Sequence, residues 1–284
     1  MSSIMDRIDA AYGQGRDYAE QFMRSERDRL ENLGDNYLSD YASVCNELGT
    51  LYRGSSQFVG AICHYQYSLQ ALERLCGTPC TLEYAVVLIN LATTYRLMGL
   101  SNKSFETFKH ARDLMDRLEE GDTYARASLD NNEALAFQDA GNYEAALRLA
   151  TEGFRIMHQL RPSQVEDAIS MSNLASLALR ANDLATAQAY AQKALRLYEQ
   201  VGVTTGHYAS VVGVNAAVCF QRGEYDQALE GFQKAAELIK KNVGENLEYA
   251  AALSNMGAVY RALGDEDKAQ SLRDEAEKIR KDKL

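Results

Sequence analysis

The sequence predicts an all-α protein built as a stack of antiparallel helix pairs, about seven helical hairpins in all. Three observations predict it. Proline breaks helix interiors, and 284 residues contain only two, Pro79 and Pro162. Ala, Leu, Glu, Gln and Arg, all good helix formers, dominate the chain, and β-branched runs are short and scattered. The third observation is a recurrence: INLATTYRLMG at residues 89–99 returns as SNLASLALRAN at 172–182 and as SNMGAVYRALG at 254–264.

The period follows from one small residue inside each apolar stripe. Gly49, Ala92, Ala134, Ala175, Ala216 and Gly257 are separated by 43, 42, 41, 41 and 41 residues. A further 41 back from Gly49 lies Ile8, within a weaker first copy. A fixed period of this length marks a repeat architecture. Seven residues after each anchor comes a turn, at Ser56, Gly99, Gly141, Asn182, Gly223 and Gly264; glycine and asparagine reach left-handed backbone angles cheaply and end helices. Five residues on stand Ala61, Ser104, Ala146, Ala187, Ala228 and Ala269, and seven further Ser68, Ala111, Gly153, Ala194, Ala235 and Ala276. Small residues at fixed places let two antiparallel helices approach closely. Large apolar residues such as Leu91, Tyr95, Phe108 and Leu114 occupy the intervening helix-period positions.

Residues 1–40 read as two amphipathic helices, the second near residues 18–33, forming an atypical N-terminal hairpin that caps the stack. Residues 41–276 hold six repeats, and 277–284 form a charged end of the last helix. Atypical terminal units are expected where a repeat has a neighbour on one side only.

The pattern of Leu-Gly/Ala-x-x-Tyr, then Gly-x-Tyr, then two spaced alanines, resembles the tetratricopeptide repeat. SNMGAVYRALGDEDKA and CFQRGEYDQALEGFQKAAEL carry it most clearly. The usual repeat has 34 residues; the longer unit here is similar to the subclass typified by kinesin light chains, whose LNNLA start is echoed by INLA, DNNEA and SNLA. The proline that often follows the second helix in the family is missing, and no long heptad region precedes the repeats. The resemblance implies a right-handed superhelical solenoid whose first helices line a concave groove, and a function in protein–protein interaction.

Two residues before the anchor stand Glu47, Asn90, Asn132, Asn173, Val214 and Asn255, and three before stand Asn46, Ile89, Asn131, Ser172, Gly213 and Ser254. A carboxamide both donates and accepts, so a row of them suits a peptide backbone. In the family, comparable asparagines contact bound peptide, and the resemblance implies this role for Asn90, Asn132, Asn173 and Asn255, with Asn46 and Asn131 beside them. The alternative is that they bond to the neighbouring helix and fix the stack. Four after the anchor lie Arg53, Arg96 and Arg261, suited either to carboxylates of a ligand or to ordinary ion pairs. Leu179 and Phe220 make the same row more apolar toward the C-terminus. The carboxylate clamp of some family members needs asparagine one residue after the anchor. Thr50, Thr93, Leu135, Ser176, Ala217 and Ala258 stand there instead, so that clamp is not expected.

A formal net charge of −10 opposes sequence-independent nucleic-acid binding, which requires a basic footprint, and disfavours anionic membranes. No apolar run approaches the roughly 20 residues of a membrane span. The start of the chain lacks the order of a signal peptide, so the closing KDKL is read as incidental and a cytoplasmic location is expected. The five cysteines, odd in number and irregularly spaced, read as reduced thiols. Cys63, His64, Cys76 and Cys80 lack the tight paired spacing of a zinc site. With no phosphate loop, nucleophile elbow or His-Glu-x-x-His, neither enzyme activity nor a metal or cofactor is expected. The sequence therefore reads as a non-catalytic scaffold that binds an extended or helical segment of a protein partner in a groove. The alternatives are a regulatory sensor of a short signalling peptide and a scaffold that self-associates into a homo-oligomer.

Overall fold

A computed structural model of the chain describes residues 3–77, 81–202 and 206–283. No strand occurs among them. Two compact units divide the chain, residues 1–140 and 141–284. The first contains α1 (Ile4–Tyr12), α2 (Arg16–Leu33), α3 (Leu38–Gly54), α4 (Phe58–Cys76), α5 (Leu82–Leu97), α6 (Ser101–Arg117) and α7 (Tyr124–Asp139). The second contains α8 (Tyr143–Leu160), α9 (Gln164–Arg180), α10 (Leu184–Val201), α11 (Gly206–Gln221), α12 (Tyr225–Val243), α13 (Leu247–Ala262) and α14 (Glu266–Lys283).

Local chemistry sets the helix boundaries. Many starts carry a side-chain cap that satisfies an otherwise orphaned N–H: Thr81 accepts from the Tyr84 amide at 3.2 Å, Thr123 from Arg126 at 3.2 Å and Asn246 from Tyr249 at 2.9 Å. Ser3 and Asp6 exchange hydrogen bonds in a capping box at the start of α1. The six turn residues singled out by spacing all take positive φ, from 60° at Ser56 and Asn182 to 85° at Gly264. At Gly99 the Leu100 amide reaches back to the Tyr95 carbonyl and the Gly99 amide to Arg96, both at 2.9 Å. That double bond pattern closes a helix C-terminus, and it repeats at Ser56, Asn182, Gly223 and Gly264.

In residues 1–140, α1/α2, α3/α4 and α5/α6 form hairpins, each packed on the next, and α7 packs on α6. In residues 141–284, α8 packs on α9, followed by the hairpins α9/α10, α11/α12 and α13/α14. Within each unit the first helices of successive pairs also touch one another: α1, α3, α5 and α7 in one unit, α9, α11 and α13 in the other. Within each unit these helices therefore share a face.

The predicted small residues sit where the two helices of a hairpin meet. Ala61, Ser104, Ala187 and Ala228 are fully buried, as are Ser68, Ala111, Ala194 and Ala276. The approach is close enough for the Ser104 hydroxyl to donate to the Ala92 carbonyl at 3.0 Å, and for Ser68 to donate to Ala42 at 2.8 Å. At Gly49 an added Cβ would lie 2.5 Å from the buried Tyr65 ring. In residues 1–140 one continuous core runs from Ile8 and Met23 through Leu48 and Tyr65 to Phe108, Met115 and Leu129. In residues 141–284 the core falls into smaller clusters in which alanine and valine predominate.

His64 of α4 belongs to the first core, only 7% exposed and set against the rings of Tyr52 and Tyr67 at 5.2 and 5.9 Å. Its Nδ1 has no hydrogen-bond partner. Burial, reinforced by Arg27 and Arg24, pushes the imidazole down to about 4.

Two predictions follow from this packing. Gly49→Ala should destabilise the protein by about 1–3 kcal/mol in urea unfolding through overpacking against Tyr65, while Gly54→Ala, with open space around the added methyl, should be neutral or slightly stabilising. His64 has a folded-state pKa below its unfolded value of about 6.5, so its contribution is complete above that pH and is lost as pH falls toward 4. Urea midpoints measured across this window should fall less for His64→Phe than for the native chain; equal falls would show that His64 is not the group responsible.

Candidate functional site

The face shared by the first helices carries most of the residues singled out by spacing. On α3 and α5 four of them form a chain of hydrogen bonds. Arg53 Nη1 donates to Asn90 Oδ1 at 3.2 Å, Asn90 Nδ2 donates to Asn46 Oδ1 at 3.0 Å, and Asn46 Nδ2 donates to Glu47 Oε1 at 3.3 Å. Further along, the Thr93 hydroxyl shares its one hydrogen between the Ile89 carbonyl at 2.8 Å and Asn132 Oδ1 at 3.2 Å, and Asn132 Nδ2 donates to the Ser128 carbonyl one turn back at 2.8 Å. Arg96, on the last turn of α5, pairs with Asp139 of α7 at 2.7 Å. Of these side chains Thr93 is buried, Asp139 is exposed and the rest are half-buried. Asn131 projects into solvent and has no hydrogen bond within the chain.

The bond chain fixes which way each carboxamide points. Arg53 is a donor only, so it must meet the carbonyl oxygen of Asn90 and leave the amide nitrogen for Asn46. At the other end Glu47 accepts, which orients Asn46 in the same sense. Behind this row α7 is anchored separately: Arg112 of α6 donates to the buried Asp130 at 2.7 Å and to Glu133 at 2.5 Å.

The matching positions of residues 141–284 are dressed differently. Asn173 and Asn255 are exposed and make no hydrogen bond among the described residues. Beside them, the buried Ser172 donates to the Ala168 carbonyl at 2.7 Å, and Ser254 accepts from Arg280 at 2.8 Å. Arg261 is exposed, 3.7 Å from Glu266. Val214 is buried, and so are Ile89 and Ser172 in the adjoining row, so these rows do not face solvent throughout. Leu179 and Phe220 pack half-buried against the core clusters of their unit rather than forming an open apolar stretch.

Three further residues were not among those expected to bind. Thr93 bonds Asn132. Glu47 occupies the same row as the asparagines, which was the available signal. Asn215, one residue before its anchor, holds a buried Oδ1 without a partner. Of the zinc-guess residues, Cys63 is exposed while the adjacent His64 is buried, so the two point to different surroundings; Cys80 lies outside the described residues. Among the described residues no group of three or more His, Cys, Asp or Glu side chains is placed to hold a metal ion, and no helix is long and apolar enough to cross a membrane.

The sequence profile of the tetratricopeptide repeat family matches residues 83–159, 125–200 and 209–282. No curated protein sequence matches the chain. Among solved structures, a signal transduction ATPase with numerous domains and a tetratricopeptide repeat sensor, from Pyrococcus horikoshii, is similar over 85% of this chain with a TM-score of 0.67 and 16% identity. This chain spans 36% of that protein. A tetratricopeptide repeat protein from Parabacteroides merdae is similar over 97% of this chain and 91% of its own, with a TM-score of 0.56 and 15% identity. A putative kinesin light chain from Podosopora anserina with nearly identical repeats is similar over 68% of this chain and 93% of its own, with a TM-score of 0.54 and 16% identity. At these identities the likeness is one of fold.

The hydrogen bonds separate the asparagines by role in the unbound protein. Asn90→Ala removes the acceptor of Arg53 and the donor to Asn46 Oδ1 and should lower stability by about 1–2 kcal/mol. Asn173→Ala removes an exposed group and should stay within about 0.5 kcal/mol of the native chain. Chemical unfolding of both variants checks this; equal small effects would show that the Arg53–Asn90–Asn46 bonds do not support the fold.

Proposed function

The chain belongs to the tetratricopeptide repeat family, and on that premise we propose that it is a non-catalytic scaffold whose first-helix face in residues 1–140 binds an extended segment of a protein partner. The family's repeats generally mediate protein–protein interaction. The observation that carries the reading here is the valence left over in the carboxamide chain. A carboxamide has two N–H donors and two acceptor lone pairs. Asn90 and Asn46 each use one donor and one acceptor within the chain, so each retains one of both kinds, held in a fixed orientation.

A backbone peptide unit offers one N–H and one C=O, the complement of what each asparagine has left. Recognition of this kind demands little of the partner's side chains. The bonds to Arg53, Thr93 and Glu47 support the binding role as well as the fold, because a side chain already ordered loses less rotamer entropy when a ligand arrives. Arg53 and Arg96 hold their neighbours in place, which suits a positioning role better than direct pairing with ligand carboxylates. The free thiols Cys45, Cys63 and Cys219 support placement in a reducing compartment such as the cytoplasm.

Selection from a displayed library of random peptides tests the reading. The native chain should enrich specific peptides, and a variant carrying Asn46→Ala, Asn90→Ala and Asn132→Ala should lose them while its helical circular dichroism and folded baseline at the assay temperature are retained. A variant carrying Asn173→Ala and Asn255→Ala serves as the comparison and should keep the same peptides. Retention of the peptides by the folded triple variant would exclude the carboxamide row as the binding surface.

A further inference from the structure

We infer that Glu47 is the seat for a positively charged side chain of the bound segment, so that the partner presents a lysine or arginine at the α1–α3 end of this face. The inference rests on the peptide-binding reading given above and adds the chemical character of the partner.

Glu47 is a half-buried carboxylate on the face-lining helix α3, and within the chain it receives one neutral hydrogen bond, the long 3.3 Å contact from Asn46. It has no ion pair. Carboxylates withdrawn from water are ordinarily paired, since their lost hydration must be offset. Three carboxylates of the same unit obey that rule, although the half-buried Asp40 and Glu120 likewise show no ion pair among the described residues. Glu26 is held by Arg7 and Arg29 at 2.8 Å each, and Asp130 and Glu133 share Arg112.

The nearby cations are committed to other partners. Arg53 acts on Glu47 electrostatically, yet its hydrogen bond goes to Asn90. Arg16, at the start of α2, donates to the Leu51 carbonyl at 3.1 Å and to the Ser55 hydroxyl. What faces Glu47 from α1 adds no compensation: Asp9 carries the same charge, and Tyr12 senses Glu47 as a charge that resists its own ionisation. Burial first of all pushes the Glu47 carboxyl up, the Asn46 amide opposes this, Asp9 reinforces it and Arg53 opposes it again. An ammonium or guanidinium arriving here would supply the missing countercharge, and its charge-assisted hydrogen bond would form where water is already partly excluded.

The position also fits the carboxamide row. Glu47 terminates the Arg53–Asn90–Asn46 chain, so a segment whose backbone runs along the asparagines brings a side chain to the carboxylate. Backbone pairing then supplies sequence-tolerant affinity, and Glu47 supplies one selective contact.

The test uses the intact protein and three fluorescently labelled probes, peptides of alternating Lys-Ser, Gln-Ser and Glu-Ser, measured by anisotropy at about 0.15 M salt to suppress long-range attraction. Lys-Ser should bind most tightly. Glu47→Gln, which keeps the size of the side chain and relieves a burial cost, should weaken Lys-Ser about tenfold and leave Gln-Ser unchanged. Glu106→Gln, on the exposed side of α6, should do neither, and Glu47→Lys should turn the preference toward Glu-Ser. In the native protein, without any substitution, the 13C carboxyl resonance of Glu47 should shift when Lys-Ser is added. Equal affinities for Lys-Ser and Gln-Ser, or a Glu47→Gln variant as inert as Glu106→Gln, would overturn the inference. If Gln-Ser binding still depends on Asn46, Asn90 and Asn132 in that event, the carboxamide row stands and only its charge preference is lost. If no probe binds, or the triple asparagine variant binds all three as well as the native chain, both fail together.

Discussion

How near the two helices of a hairpin approach one another governs where every other side chain ends up. At Gly49 the Tyr65 ring occupies the volume a methyl would need, at Gly231 a Cβ would come within 2.7 Å of that of Ala216, and at Gly257 within 3.1 Å of the Ala269 carbonyl. Close approach of this kind depends on small residues at both contact points, and hydroxyls at Ser68 and Ser104 exploit it by bonding directly to backbone on the opposite helix. With the small residues turned toward the partner helix, the large apolar residues of the same turn pack above and below the contact. A third strip of each first helix is then left facing its counterpart in the next hairpin. The asparagines lie on that strip.

Asparagine is a poor residue for a helix interior because its side chain competes for backbone hydrogen bonds. The protein places it there repeatedly, and in residues 1–140 the structure offers a reason independent of any ligand: Asn90 joins α5 to α3, and Asn132 joins α7 to α5. Such bonds strengthen in a partly desolvated setting, and they knit successive pairs together beside their apolar contacts and the Arg96–Asp139 and Arg112–Asp130 ion pairs. A carboxamide has enough valence to do this and still face outward. Asn173 and Asn255 show the other limit, the same row position without any bond to the neighbouring helix.

Much of this architecture was legible in the sequence because the period is carried by residues with strict steric roles. The turns at Ser56, Gly99, Gly141, Asn182, Gly223 and Gly264 take the left-handed angles that their spacing implied, and the small residues beyond them are buried. The rows on the first helices were less legible. Equal offsets from the anchor do not guarantee equal surroundings, since successive pairs are rotated as well as translated. Asn46, three before its anchor, therefore meets Asn90, two before the next. Ile89, Ser172 and Val214 stand in the same rows and are buried. Glu47 was visible as the acidic member of the asparagine row, whereas its lack of a counterion depends on where Arg16 and Arg53 direct their donors, which no periodicity reports. The contribution of Asp9 and Tyr12 depends likewise on how α1 packs against α3.

The uneven bulk of the two cores has a mechanical meaning. What resists the peeling of one helix from a hairpin is the apolar area that its removal exposes to water. In residues 1–140 that area comes from side chains as large as Tyr65, Phe108, Met23 and Met115, interlocked in one continuous cluster. In residues 141–284 alanines supply much of it, in smaller clusters bridged by the half-buried Leu179, Leu238 and Met256. Peeling away a helix whose buried face is mostly alanine therefore exposes less apolar area, and meets less resistance, than peeling one that carries Tyr65, Phe108 or Met115.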